Sequence, residues 1–339
     1  MRISTVTQNL RIDNSITSIQ RSIADAQQQI STGKKSQVYS GLSGQDVRLL
    51  ITLKEQRTSV ESYVDTINNT SVKTKTIDAS MVTFTDITQD LRKKLYEQVE
   101  GLYENSALAL QTFANAAIDQ LTNLLNQTAD GKYLFNGTDT DTQPMRNAGA
   151  TETDYATHIV GALGPGQPAL SAGAGSADVI TYVEDFFNTD ANWNNVSTPA
   201  PGSLQARIEK GVDISFGELA NDDAFEEVFE VLYAFANVNF QDGDDAEYEA
   251  LVNWGIGKVE AAFDTINNMV GENGVIGAQM ETTLAEHKDS LTLLETQVLD
   301  IEEVDAYEAV SLFQTLQAQL EASYQTTSVL RGLTLTRYL

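Results

Sequence analysis

The sequence predicts a mainly α fold: coiled-coil terminal helices, a long helical-bundle rod with a β-hairpin, and an inserted outer domain of mixed α/β character. Three observations carry this reading. Residues Ile12, Ile16, Ile19, Ile23, Ala26 and Ile30 recur at intervals of 4, 3, 4, 3 and 4, the a/d seam of a helix that buries one narrow stripe against another helix. Between Gln45 and Thr128 the only glycine is Gly101 and there is no proline, and from Ala278 to Arg331 there is neither. Ordinary globular helices average about 11–12 residues, so runs this long signal rods or coiled coils. Finally, all five prolines (144, 165, 168, 199, 201) and both tryptophans (193, 254) fall in the middle of the chain, which is therefore chemically distinct from its two flanks.

The first helix carries polar residues between its seam positions, among them Asp13, Asn14, Ser18, Gln20, Asp25 and Gln27. A helix of this length is marginal in water without packing. Its natural partner is the far end of the chain, where Leu312, Leu316, Leu320, Ser323, Thr327 and Leu330 recur at 4, 4, 3, 4 and 3. The two ends read as halves of one coiled coil. Within a single subunit they are expected to bury too little to offset the ordering cost of about 1–2 kcal/mol per residue, so the pair is expected to form on assembly. Ser31-Thr32-Gly33 ends the first helix, with Gly33 as its C-terminal cap. Residues 34–44 form a turn-rich connection.

From Gln45 onward, Leu53, Val60, Val64 and Ile67 make one stripe, and Ile77, Met81, Phe84, Ile87, Leu91 and Leu95 another. A break near 101–106 divides two antiparallel helices, the second running through Leu110, Phe113, Ala117, Leu121, Leu124 and Thr128 and closing at Asp130-Gly131. Lys132 to Phe135 has strand propensity, and Asn136-Gly137 is a two-residue hairpin signal, which places a β-hairpin near 132–138. In the middle block, residues 147–177 are rich in Gly, Ala and Ser and read as loop. Val179–Val183 fits a strand or a helix equally. Asp222 or Asp223 can cap a helix through Phe225, Phe229, Leu232 and Phe235. Asp244 or Asp245 can cap another through Leu251, Trp254, Phe263 and Ile266, ending at Gly271. The returning helix then begins near Val275, with Met280, Leu284, His287, Leu291, Leu294, Val298 and Ile301 in strict 4, 3 alternation.

These elements group into three regions. Residues 1–44 with 304–339 form a terminal coiled-coil domain. Residues 45–140 with 256–303 form the rod with its hairpin. Residues 141–255 form an acidic outer domain, read as a separable unit. The charge supports the division: residues 1–140 hold 14 Lys+Arg against 15 Asp+Glu, residues 141–255 hold 3 against 20, and residues 256–339 hold 4 against 13, for a net −27.

That charge repels nucleic acid and anionic membrane surfaces, so neither is expected as a partner. No run of about 18 apolar residues exists to span a membrane, and the N-terminal residues lack the apolar core of a cleaved secretory signal. The sequence contains no cysteine, which removes disulfides, thiolate nucleophiles and cysteine-ligated zinc together. Of the two histidines, His158 sits in the Gly/Ala-rich stretch without neighbouring ligands. His287 occupies a seam position and is read as a buried polar group hydrogen-bonded across the helix pair. Asp242 to Glu249 lacks the glycine and glutamate spacing of a calcium loop. Gly255-Ile256-Gly257-Lys258 lacks the spacing of a phosphate loop. Asn136-Gly137-Thr138 and Asn195-Val196-Ser197 are short glycosylation patterns that carry little weight alone. No catalytic, cofactor-binding or metal-ligating constellation stands out, so an enzyme is not expected, nor a cofactor.

Several stretches carry a family resemblance. Met1-Arg2-Ile3-Ser4-Thr5, Ile30-Ser31-Thr32-Gly33-Lys34-Lys35, Ile276-Gly277-Ala278-Gln279-Met280, the acidic Asp300 to Ala309 and the closing Leu320 to Leu339 resemble the flagellin superfamily. Asp130-Gly131-Lys132-Tyr133-Leu134-Phe135-Asn136-Gly137-Thr138, followed by Pro144, is similar to the branch of hook-associated proteins that joins hook to filament. The ending Arg337-Tyr338-Leu339 is as similar to flagellin itself, which keeps a filament-forming flagellin as the alternative. The resemblance covers roughly 1–145 and 256–339. It departs from the family at Tyr39 to Asp46, where the family's turn carries prolines. It implies a structural role in the bacterial flagellum, export unfolded through a dedicated secretion apparatus with a chaperone, and a location outside the cell. The implied partners are the chain itself, in a ring or helical polymer, and other axial proteins of hook and filament. The terminal stripes would then be the assembly interface, through Ile12, Ile16, Ile19, Ile23, Ile30, Leu312, Leu316, Leu320 and Leu330.

Overall fold

The computed structural model describes residues 2–99, 103–146, 149–151, 176–188, 197, 199–237 and 245–335. The expected break at Gly101, most of the 147–177 loop, His158, the Asn195 glycosylation pattern and Asp242–Asp244 lie outside these residues. The helices are α1 (Arg2–Thr32), α2 (Gly44–Val99), α3 (Tyr103–Leu125), α4 (Ser176–Asn188), α5 (Asp223–Asn237), α6 (Asp245–Glu302) and α7 (Ala306–Leu335). The strands are β1 (Thr128–Ala129), β2 (Lys132–Tyr133), β3 (Leu204–Glu209) and β4 (Val212–Phe216), forming two antiparallel two-stranded ribbons. The fold is mainly α with a small β content, as the periodicity predicts.

The described chain packs as two compact units, residues 1–61 with 288–339 and residues 62–287. In the first, α1 lies against α7, and a small core forms from Leu50 and Leu53 of α2 with Leu294 and Val298 of α6. The terminal helices therefore meet within one subunit, contrary to the expectation that they pair only on assembly. The reason is length: at 31 and 30 residues each runs about eight turns, so many modest contacts add along the seam.

The second unit has one hydrophobic core. Ile77, Met81, Phe84, Leu91 and Leu95 of α2, Leu110, Ala117 and Leu121 of α3, and Val259, Ile266 and Met280 of α6 are all buried in it. So are Val183 and Phe187 of α4 and Phe225, Phe229 and Leu232 of α5. The Phe84 and Phe225 rings sit 4.7 Å apart, joining α2 to a helix of the middle block. The compositional boundaries at 141 and 255 are thus not packing boundaries. Helix α5 is apolar on nearly every face because it is surrounded; Asp222 Oδ1 accepts from Ala224 N at 3.1 Å and caps it.

Three elements differ from the sequence expectation. The first hairpin turns at Asp130-Gly131, both with positive φ (53° and 73°), the mirror-image turn that suits strand twist. Asn136-Gly137 instead closes a packed loop: Asn136 is buried and its Nδ2 donates to the carbonyls of Asp139 and Thr142. Gly137 has φ +58°, and a Cβ there would collide with the Ala200 carbonyl. Next, α6 does not stop at Gly271 but continues as one helix of 58 residues. Each helical glycine costs roughly 1 kcal/mol relative to alanine, yet Val259, Ala262, Ile266, Met269 and Met280 stay buried along one face across the glycines, and packing wins. Gly255 is needed there, since a Cβ would lie 3.0 Å from Phe235. Finally, β3 and β4 form a ribbon about Lys210-Gly211, with Ala206, Ile208, Ile214 and Phe216 facing the core.

His287 is buried, as expected, but its partner is not across a helix pair. Its Nε2 lies 2.7 Å from the Ile208 carbonyl, and its ring stacks on Tyr63 at 5.7 Å. The β3–β4 register slips between Arg207 and Glu209, so Ile208 has no opposite residue and its carbonyl is free for the imidazole. A carbonyl only accepts, so Nε2 carries the proton.

Candidate assembly interface

Both terminal helices show a single stripe of reduced exposure. On α1, Ile12, Ile16, Ile19 and Ile23 are half-buried and Ala26 is buried. On α7 the corresponding positions are Ala309, buried, and Phe313, Leu316, Leu320, Ser323 and Thr327, half-buried. Their spacing is 4, 3, 4, 3 and 4, a regular heptad seam. Gln20 Nε2 donates to the Tyr324 hydroxyl at 2.9 Å, bridging the pair.

Of the residues singled out from sequence, Ile12, Ile16, Ile19, Ile23, Leu316 and Leu320 lie in this paired stripe. Leu312 does not: it is 47% exposed, and Phe313 takes the seam position. Choosing leucines gave intervals of 4 and 4 at the start, whereas a heptad seam requires alternation; that irregularity was the available signal. Ile30 is 40% exposed, because α1 ends two residues later and the chain turns away. Leu330 lies in α7, with its side chain outside the described set.

The base of the pair is built by the Ser31 to Lys35 stretch. Gly33, at φ +70°, ends α1, and its N–H reaches the Gln29 carbonyl at 2.8 Å. The connection then runs antiparallel to the end of α6: Lys35 N donates to Glu302 O at 2.7 Å, and Val304 N donates to Gly33 O at 2.9 Å. Lys34 Nζ meets Glu302 Oε2 at 2.8 Å, and Lys54 Nζ of α2 meets Oε1 of the same carboxylate. Hydrogen bonds from these two lysines hold the Glu302 carboxyl below its ordinary pKa. Lys35 Nζ donates to the carbonyls of Asp300 and Ile301 at 3.1 and 3.2 Å, satisfying acceptors at a helix C-terminus where a cation is favoured. Sequence reading did not find Glu302 or Lys54, because nothing local marks a pairing across 268 or 248 positions.

The turn from Tyr39 to Gly41 is a single 3-10 turn. A Cβ at Gly41 would collide with the Ser36 hydroxyl, which bonds Val38 on both sides. Ser43 Oγ accepts from Asp46 N at 3.1 Å and caps α2. A hollow of about 410 Å³ opens beside this turn, walled by Val38, Tyr39, Leu42 and Leu50. Its two ammonium groups are those already bound to Glu302. Among the described residues no group of acidic or histidine side chains is placed to hold a metal, and no helix is long and apolar enough to cross a membrane.

Residues 256–339 match the bacterial flagellin C-terminal helical region. No curated protein matches the chain by sequence. Among solved structures, a chain designated a flagellar hook-associated protein from Vibrio parahaemolyticus superposes with a TM-score of 0.53 at 11% identity, covering 76% of this chain and 98% of its own. FlgL from Bacillus cereus superposes with a TM-score of 0.41 at 13% identity, over 74% of this chain and 97% of its own.

Proposed function

We propose that this chain is a structural subunit of the bacterial flagellum that joins hook to filament by packing of its terminal helices. The observation that carries the reading is the paired α1–α7 stripe within a chain whose residues 256–339 match the flagellin C-terminal helical region. The isoleucines from Ile12 to Ile23 are only half covered by α7. A stripe left half open gains further burial, at about 25 cal/mol per Å², when helices of neighbouring copies close over it. In that arrangement Ile12, Ile16, Ile19, Ile23, Leu316 and Leu320 are interface residues, and the exposed Ile30 and Leu312 are free to meet a neighbour. The likeness in fold to a hook-associated chain favours the junction over the filament shaft.

The proposed partners are other copies of the chain, the axial proteins of hook and filament, and the export chaperone and secretion apparatus. The proposed site of action is outside the cell. A chain without cysteine cannot cross-link while unfolded or afterwards, which suits export in an extended state. The role is mechanical; no catalytic step is assigned to it. A second reading, a flagellin that forms the filament itself, is favoured by the family description of the C-terminal match.

Electron microscopy of cells lacking the protein separates the two. Hooks without filaments, with flagellin released to the medium, are expected for a junction subunit. Disappearance of the protein that makes up the filament mass would assign it to the filament instead.

A further inference from the structure

In the unit formed by residues 62–287, one ammonium group serves several carboxyls. Glu230 of α5 is 1% exposed, and its Oε2 lies 2.9 Å from Lys258 Nζ of α6. Glu184 of α4 lies 3.9 Å from the same nitrogen and accepts from Trp254 Nε1 at 3.1 Å. Glu227, Glu226 and Asp223 precede Glu230 by three, four and seven positions, so they share its face of α5. Among the described groups acting on Glu226, Glu230, Asp223 and Glu227 are acidic and Lys258 is the cation. One lysine cannot neutralise this set, and burying an unpaired carboxylate is costly.

We propose that the Lys258 junction is a proton-dependent lock: proton uptake by the α5 carboxyls tightens α4 and α5 on α6, and proton release loosens them. The inference does not rest on the flagellar reading. Burial, reinforced by Glu230 and Asp223 and only partly offset by Lys258, pushes the Glu226 carboxyl up to about 7. Burial also raises Glu227 and Glu230, and Glu218 and Asp222 just upstream. For Lys258, burial pulls the ammonium down, but pairing with Glu230, Glu184 and Glu227 outweighs it.

A carboxyl whose folded pKa is raised holds a proton that the unfolded chain releases. Its stabilisation is complete below the ordinary value of 4.5 and is lost as pH climbs from there to about 7. Glu226 by itself increases the opening constant by up to about tenfold per pH unit inside that window, and the other raised carboxyls act in the same direction. The Glu302 carboxyl, lowered by Lys34 and Lys54, responds in the opposite direction and serves as an internal control.

The test is amide hydrogen exchange on the full chain at pH 5, 6 and 7, corrected for intrinsic rates. Protection of the α4 and α5 amides is expected to fall by tenfold or more from pH 5 to pH 7, while the Lys35 and Val304 amides at the base of α1 and α7 do not follow. Glu226→Gln, which cannot ionise, is expected to flatten that slope and to raise protection at pH 7. Lys258→Met is expected to steepen it. Protection of α4 and α5 that is independent of pH, or a Glu226→Gln slope equal to that of the unmodified chain, overturns the proposal. Should Lys258→Met fail to fold, the Glu226→Gln comparison decides alone.

Discussion

His287 is buried on α6. Its seam position marks it for burial, and leucine would suit an a/d site. In the fold, however, the imidazole satisfies the bulged Ile208 carbonyl. His287→Leu therefore leaves a buried acceptor unpaired, which costs about 1–3 kcal/mol. Chemical denaturation should show that loss, and His287→Gln should recover part of it; an unchanged midpoint for His287→Leu would remove the bond from any role in stability. Gly137 makes a harder demand, combining φ +58° with close approach of the Ala200 carbonyl. Gly137→Ala is expected to destabilise by more than the roughly 1 kcal/mol that a positive φ alone exacts, read as a drop in melting temperature. Glu302 adds a pH response. Because its folded pKa is lowered by Lys34 and Lys54, its contribution is present above the ordinary carboxylate value of 4.5 and is lost as pH falls through the folded value. Faster exchange of the Lys35 and Val304 amides in acid, and a flat response in Glu302→Gln, are the expected signatures.

At the scale of elements, periodicity identified what repetition can identify. The stripes on α2, the α3 stripe from Leu110 to Leu124, the seam on α6 and the α1 isoleucines from Ile12 to Ile23 take buried or half-buried positions, because a 3.6-residue period leaves its mark wherever one face is covered. Thr128, expected on the same helix as Leu110, is instead exposed in β1, because α3 ends at Leu125. What remained hidden depends on distant partners. Gly271 reads as a helix end because glycine lowers local propensity, while the packing that overrides it comes from Ala262, Ile266, Met269 and Met280, buried along one face on either side of it. Asp130-Gly131 reads in sequence as the close of α3 and Asn136-Gly137 as the hairpin turn, although both pairs suit a hairpin; the buried Asn136 contacts distinguish them. The alternation of Leu204, Ala206 and Ile208 before Lys210-Gly211 is a strand signal of only three positions, too short to stand out by period alone. The composition of the middle block suggests an independent domain. Since Phe225 packs on Phe84 and the α4 and α5 residues share the α2–α3–α6 core, a fragment of residues 141–255 would expose most of α5. It is expected to show no cooperative melting by calorimetry, whereas a sharp transition would restore the independent domain.

For the whole molecule, charge and packing divide along the same line. Residues 1–61 with 288–339 carry 11 Lys+Arg against 13 Asp+Glu, and residues 62–287 carry 10 against 35. The unit with the half-open stripe is nearly neutral, and the other holds almost all of the net charge. Assembly through the terminal helices would then work against repulsion between the acidic units of neighbouring copies. Salt weakens that repulsion, because the Debye length shortens from about 30 Å at 0.01 M to about 8 Å at 0.15 M, while apolar burial along the stripe is not screened. Self-association of the purified chain, followed by sedimentation, is therefore expected to strengthen as salt is raised across this range. Ile19→Asp puts a carboxylate at the centre of the stripe, where a neighbour's helix would bury it at a cost of several kcal/mol. In the single subunit Ile19 is only half-buried, so the melting temperature should fall modestly while association is lost at every salt concentration. Ile19→Leu should resemble the unmodified chain in both measurements. Association that weakens with salt, or that survives Ile19→Asp, would mean that charge pairing rather than the isoleucine stripe holds the copies together.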